Sequence, residues 1–263
     1  MMAEMDKVFA LLAGVRNPVP ALLDRIGLLR RPYILRLRNG TPFELRPRAG
    51  DLFGFYEIML RRDYLASGQW LGPGATVIDV GANVGCFSVL AAQIVGPTGR
   101  VFALEPEVST YRQLLRNIEL NRLTNVTPLQ LAIGGRQGIV TLHADPNALF
   151  SSMYSNVNGR EIRGTDRSVE MTTLDAIMDK FQIERCDYLK LDCEGAEHDI
   201  IAAMAGTTAA RIAQITLEVH KVPGCDGDTL ASNLKQLGYY RIGTSTLPFY
   251  ARLPEGGSPP AIN

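Results

Sequence analysis

Between Thr76 and Gly96 the chain reads TVIDVGANVGCFSVLAAQIVG. A short apolar strand carries Asp79 near its end, a turn follows with Gly81 and Gly85 four positions apart, and small and apolar residues then continue at helical spacing. A strand that enters a helix through a glycine turn leads toward a parallel sheet, because parallel neighbours need a crossover between them. The rhythm repeats. GRVFALEP reads as a second strand, VSTYRQLLRNIELNRL as an amphipathic helix, and VTPLQLAIG as a third strand. Further on, TLDAIMDKF (helix), CDYLKLD (strand), AEHDIIAAM (helix), QITLEVH (strand) and DTLASNLKQLG (helix) restore the alternation, and YYRIG with LPFYARL can close it as an antiparallel hairpin. An α/β sheet covered on both faces is the fold this pattern requires.

The chain ahead of this region has a different character. Residues 1–31 read as two short amphipathic helices broken by NPVP, and YILRLRNGTPFELRP as a β-hairpin turning at Asn39-Gly40. Apolar residues at helical spacing from Phe53 to Leu65 complete an extension over residues 1–70. The α/β domain is expected over 71–254 and a loose Gly/Pro-rich tail over 255–263. Between the third strand and the next helix, GIVTLHA and RSVEMTTL flank a long polar insert, DPNALFSSMYSNVNGREIRGTD; loops of that length are commonly functional.

Charge and cysteine content narrow the function. The 263 residues carry 27 Lys plus Arg against 27 Asp plus Glu, so no global field draws the chain to nucleic acid or an anionic membrane. Cys86, Cys186, Cys193 and Cys225 form no C-x-x-C pair, which argues against a zinc site or a secreted disulfide framework and makes a cytoplasmic location the expectation. The longest apolar run near the start is too short to span a bilayer, and no signal peptide is read there.

The glycine turn selects its ligand by charge. A pyrophosphate loop uses G-x-G-x-x-G, whereas here the spacing is G-x-x-x-G with the carboxylate of Asp79 just ahead of it. An acid there repels a pyrophosphate and favours an ammonium. Glu105 ends the next strand, where a carboxylate can accept both hydroxyls of a ribose. Glycine loop, early acid and ribose acid together describe a nucleoside with a cationic amino-acid tail, and S-adenosylmethionine is the common metabolite of that description. Asn83 is expected to bond within the loop or to the methionine carboxylate. Pro106, Leu131 and Ala132 are candidates for flanking adenine. Asn117 and Asn121 read as packing or surface groups.

Two further strand ends carry acids. In KLDCEGAE, Lys190 and Asp192 share a face, and Asp192 and Glu194 stand where sulfonium and acceptor would meet; Glu197 opens the next helix as a cap-like acid. In TLEVH, Glu218 and His220 repeat the arrangement one strand on. His143 and His198 lack such placement and read as structural. For Glu105 and for the acids of KLDCEGAE the plainer alternative is a helix-terminal group meeting the dipole of the helix that follows.

VIDVGANVGCFSVLAA, VFALEPEVSTYRQLLRNIELN, LQLAIG, DYLKLDCEGAEHDII and ITLEVH, in that order, resemble the FkbM-type S-adenosylmethionine-dependent methyltransferases, over roughly residues 40–243. The resemblance implies the class I methyltransferase fold, a Rossmann-like sheet of seven strands with the last antiparallel. It also implies O-methylation of a hydroxyl on a sugar, glycolipid or secondary metabolite. Cofactor contact then falls to Asp79, Gly81, Ala82, Asn83, Gly85, Glu105, Pro106, Ala132 and Asp192. His220 is the preferred general base, with Asp192 or Glu194 orienting it or acting instead. Ser151, Ser152 and Glu218 are assigned to the acceptor. A divalent ion on Asp192, Glu194 and substrate oxygens is a minority option, since no third clear oxygen ligand is present. The expected partner is a small-molecule or glycan hydroxyl acceptor rather than nucleic acid, and the N-terminal extension offers a surface for a homodimer. An RNA base methyltransferase, an NAD-dependent oxidoreductase and a non-catalytic module that keeps the fold are the alternatives.

Overall fold

A computed structural model describes residues 2–65, 69–145, 147–243 and 247–252; the expected tail over 255–263 lies outside them. Helices α1 (Met2–Gly14) and α2 (Val19–Arg25) are separated by the prolines as expected, and Asn17 fills the break. Its side-chain amide donates to Ile34 O at 2.8 Å, and its carbonyl accepts from Arg36 N at 2.8 Å. Strands β1 (Tyr33–Arg36) and β2 (Pro42–Leu45) pair antiparallel, with Gly40 at φ 97° in the turn. Helix α3 (Asp51–Phe55) then widens into a π-helical turn over Tyr56–Arg61. Among the described residues, no helix is long and apolar enough to cross a membrane.

The central sheet is built from β3 (Thr76–Val80), then, after helix α4 (Cys86–Val95), β4 (Arg100–Leu104), and, after α5 (Val108–Leu120), β5 (Val126–Leu129). The stretch read as one third strand divides. Pro128 and Leu129 stay in the sheet, while β6 (Ala132–Ile133) leaves it to pair with a separate layer. That layer holds β7 (Gly138–Ala144) and, after the small hairpin β8 (Asn156–Val157) and β9 (Arg160–Glu161), β10 (Thr165–Thr172), which runs antiparallel to β7 over seven residue pairs. Helix α6 (Leu174–Lys180), β11 (Tyr188–Leu191), α7 (Glu197–Ala203) and a short α8 (Gly206–Ala210) follow. The chain closes through β12 (Gln214–Leu217), α9 (Gly227–Gln236), β13 (Tyr239–Ile242) and β14 (Phe249–Arg252).

The seven-stranded order is β13-β14-β12-β11-β3-β4-β5, with β14 antiparallel to both its neighbours and the rest parallel. This is the class I methyltransferase sheet. The chain runs outward from β3 to β5 and returns to β11 on the other side of β3, so the order reverses between β3 and β11. A crevice opens beyond the carboxyl ends of strands at such a reversal.

The N-terminal elements share their core with the α/β region. Leu35, Phe43, Leu45 and Phe55 are fully buried in one cluster with Val84, Val89 and Leu90 of the first loop and α4. Each such side chain contributes about 1.5–3 kcal/mol by leaving water. Asn117, read as a packing or surface group, is wholly buried. It accepts from Glu44 N at 2.8 Å and donates to Val84 O at 2.8 Å, riveting β2 to the glycine turn through α5.

Candidate active site

The first loop is held open by backbone bonds. Gly81 N and Ala82 N both donate to Leu104 O, at 3.0 and 2.9 Å, which locks the tip of β3 to the tip of β4. Gly81 has φ 75°, and a Cβ there would lie 1.7 Å from the carbonyl oxygen of Asp192 at the tip of β11. Only glycine lets the two strand ends approach this closely. Asn83 takes φ 49°; its N–H donates to Glu105 Oε2 at 3.0 Å, and its side-chain oxygen accepts from Val84 N at 2.6 Å. Gly85, φ 89°, starts α4 and faces Leu114, with which a Cβ would collide at 2.6 Å.

A cavity of about 500 Å³ occupies the crevice. That falls within the usual range for small-molecule sites. Gly81, Ala82, Asn83, Glu105, Pro106 and Ala132 line it together with Asp192, Glu194 and Glu218, and Ser151 and Ser152 stand in its wall. Leu131, proposed beside adenine, lines it as well. Most residues picked from sequence are thus brought together by the fold.

Three placements differ from the sequence reading. Asp79, assigned to cofactor contact, is wholly buried beneath the loop and lies outside the cavity lining. Its Oδ2 accepts from Ser88 Oγ at 2.6 Å and its Oδ1 sits 3.1 Å from Lys190 Nζ, so its charge is spent within the protein. Gly85 likewise lies outside the lining and packs against Leu114 of α5. His220, assigned as general base, also lies outside the lining, 3 % exposed behind Glu194 and Glu218. Burial by itself would lower its imidazole. The hydrogen bond and charge of Glu197, with Glu194 and Asp192 nearby, outweigh burial and push it up to about 10. Its acidic neighbours thus favour the protonated ring.

The acids divide by environment. Burial would raise Asp192, but Lys190, His220 and the Tyr64 hydroxyl together hold its carboxyl below the usual carboxylate range. Tyr64 Oη donates to Asp192 Oδ2 at 2.7 Å and Lys190 Nζ stands 3.4 Å from the same oxygen. Glu194 is pushed up to about 8, first by burial and then, against the opposing charge of His220, by neighbouring acids. Burial also raises Glu218, joined by the charge of Asp192. Glu105, 7 % exposed, is pushed up to about 7 by burial, although the N–H groups of Glu107 and Asn83 pull the other way.

The loop after β11 is strained and cross-braced. Glu194 has φ 53° and Gly195 φ 110°, a geometry that costs a non-glycine residue energy and recurs at functional sites. Glu197, read as a cap-like acid, is the brace. Its Oε2 accepts from Gly195 N at 3.0 Å, and its Oε1 accepts from His220 N at 2.8 Å and lies 2.7 Å from His220 Nδ1. Ser152 Oγ donates to Glu194 O at 2.5 Å, and Ser151 Oγ accepts from Asp145 N at 3.1 Å. Both serine hydroxyls are therefore engaged in shaping the wall. His198 Nε2 donates to His220 O at 2.8 Å, and His143 pairs with Asp166; neither lines the cavity.

Sequence reasoning missed Tyr64 and Glu57, both in the cavity wall. Glu57 is pushed up to about 7, mainly by burial. An acid inside the apolar run LFGFYEIML was the available signal, since a lone carboxylate on a buried helical face needs a reason.

A family model described as the methyltransferase FkbM domain matches residues 79–240. The chain is 28% identical over 224 residues to 31-O-demethyl-FK506 methyltransferase FkbM of Streptomyces tacrolimicus, covering 75% of this chain and 85% of that protein. It is 27% identical over 222 residues to AMB antimetabolite synthetase AmbE of Pseudomonas aeruginosa, covering 70% of this chain and 10% of that much longer protein. Among solved structures, a SAM-dependent methyltransferase from Aquifex aeolicus aligns with 14% identity and a TM-score of 0.40, covering 74% of this chain and 92% of that one.

Proposed function

This chain belongs to the FkbM methyltransferase family, and on that footing we propose that it moves the methyl group of S-adenosylmethionine to a hydroxyl oxygen of a sugar, glycolipid or secondary metabolite. The observation that carries the reading is the continuity of one cavity from the Gly81–Asn83 loop and Glu105 to the acids Asp192, Glu194 and Glu218. On this reading Glu105 accepts the ribose hydroxyls, and Pro106, Leu131 and Ala132, which line the same cavity, flank adenine. Asp192, which lines the cavity beside Lys190, then supplies negative charge that stabilises the sulfonium.

Methyl transfer to oxygen is an in-line displacement. Alignment of the acceptor oxygen with the S–CH3 bond supplies much of the rate, and a carboxylate that takes the hydroxyl proton supplies more. Glu194 is in the position for that proton: it lines the cavity, its backbone is fixed by Ser152 and Glu197, and no side-chain donor within 3.5 Å among the described residues occupies its carboxylate. His220 stands behind it, Nε2 3.6 Å from Glu194 Oε2, as a positioning residue. The 31-O-demethyl-FK506 relative, named for methylation at oxygen, supports the choice of atom.

The test is incubation of the chain with methyl-labelled cofactor and a panel of hydroxylated metabolites and glycans, with tRNA and rRNA alongside. Product NMR that places the label on oxygen of a small molecule supports the reading. Label on a nucleobase replaces it with RNA methylation, and cofactor binding without any product points to a non-catalytic module.

A further inference from the structure

We propose that Asp192, Glu218 and His220 form a binding site for one divalent transition-metal ion, of the manganese or iron(II) class, at the acceptor end of the cavity. One oxygen of each carboxylate and one nitrogen of the imidazole all lie within 4.8 Å of one another. The site rests on geometry already described, and only the role assigned to the ion depends on the hydroxyl-acceptor reading above.

The imidazole is oriented as a ligand. Nδ1 is 2.7 Å from Glu197 Oε1, a carboxylate with no exposure, which fixes the ring and turns Nε2 toward the acids. A metal-bound histidine commonly has its second nitrogen held by a carboxylate in this way. Nε2 itself makes no hydrogen bond within 3.5 Å among the described residues; it stands 3.6 Å from Glu194 and 3.7 Å from Glu218. On a side chain 3% exposed, Nε2 faces these two acids at ion-pair rather than hydrogen-bond distance, which leaves room for an ion between them. Asp192 is similarly prepared, because Tyr64 and Lys190 both engage Oδ2 and leave Oδ1 free. Ligands of an octahedral ion stand about 3–4 Å apart. Glu218, whose side chain is 48% exposed, can turn to close the remaining distance. The ammonium of Lys190 opposes a cation here, but it is already matched by Asp79 at 3.1 Å.

Two carboxylates with one imidazole suit manganese or iron(II) better than calcium or magnesium, and three protein ligands leave positions open. Adjacent oxygens of the acceptor, a vicinal diol or an α-hydroxy ketone, fill two of them. The bound hydroxyl gives its proton to Glu194, its oxygen forms the bond to the methyl carbon, and the C–S pair stays on sulfur. The products are a methyl ether and S-adenosylhomocysteine. No electron changes hands with the ion.

The experiment is titration of the EDTA-stripped full chain with MnCl2, followed by electron paramagnetic resonance and calorimetry, with no acceptor present. One manganese ion per chain is expected. Glu218→Gln, at a half-exposed position, should weaken binding at least tenfold with melting temperature unchanged, and Glu197→Gln should weaken it about 10–100-fold through the ring. Absence of stoichiometric binding of Mn2+, Zn2+ or Mg2+, or equal affinity in Glu218→Gln, overturns the proposal. The two readings fail separately. O-methylation that continues at full rate in EDTA removes the ion and keeps the hydroxyl acceptor; manganese binding with label on nitrogen or carbon does the reverse.

Discussion

Lys190 Nζ lies 3.1 Å from Asp79 Oδ1, with the two side chains 2% and 0% exposed. The same ammonium donates to Gly81 O at 3.0 Å and sits 3.4 Å from Asp192 Oδ2. Burial lowers a lysine, yet Asp79 and Asp192 outweigh it and hold Lys190 above its usual range. One cation thus ties together the tips of β3 and β11, the two strands that flank the crevice.

Replacing it exposes that role. Lys190→Met leaves Asp79 buried and uncompensated, which costs about 3–5 kcal/mol. At roughly 2–4 °C per kcal/mol for a chain of this size, the melting temperature should fall by roughly 10 °C. Adding Asp79→Asn should recover most of the loss. Calorimetric melting of the two variants measures it, and a single variant within 1 kcal/mol of wild type contradicts the ion-pair account.

Gly81 is the second test of the strand tips. A methyl group in Gly81→Ala meets Asp192 O at 1.7 Å, so β3 and β11 must separate. Cofactor affinity, read by calorimetry, should fall by more than tenfold along with stability. Gly96→Ala is the control: at φ 67° and ψ −173° a side chain also strains the backbone, by about 1–3 kcal/mol, but its Cβ meets nothing within 4 Å. Cofactor affinity in that variant should be unchanged.

Glu105 sets a pH dependence. Donation from ribose hydroxyls favours its carboxylate, and burial has pushed its carboxyl up to about 7. Cofactor affinity should therefore rise from pH 6 to pH 8 by up to about tenfold, the ratio of ionised fractions around such a midpoint. In the free protein the sign reverses: the fold retains a proton that the unfolded carboxyl loses near 4.5, so this group lowers stability as pH rises from there to about 7. Glu105→Gln should flatten the affinity profile while weakening binding at pH 8. A wild-type affinity constant across that interval removes Glu105 from the cofactor site.

Glu194→Gln separates chemistry from binding. With the proton acceptor gone, kcat should drop about 10²–10⁴-fold, while the dissociation constant for S-adenosylmethionine stays within a few-fold. Single-turnover transfer and equilibrium binding are the two measurements. Turnover equal to wild type assigns the proton to another group.

The site was unevenly legible in the chain. Glycine spacing marked the first loop, because only glycine tolerates both the left-handed turn and the contact with Asp192. Strand-end acids marked Asp192, Glu194 and Glu218, since a parallel strand is otherwise apolar. The same rule misjudged Asp79, whose partner lies 111 residues away, and it passed over Tyr64 and Glu57 because the extension carrying them shows no strand-end pattern.

Periodicity and turn chemistry alone determined the alternation of strands and helices in the α/β region and the antiparallel closing hairpin, for these follow from local backbone preference and from which faces must be apolar. Only the tertiary structure decided which charges are spent inside the protein and which face the cavity. That division depends on distances between side chains remote in sequence: Lys190 pairs with Asp79, Glu197 holds the ring of His220, and the extension lends Tyr64 to Asp192.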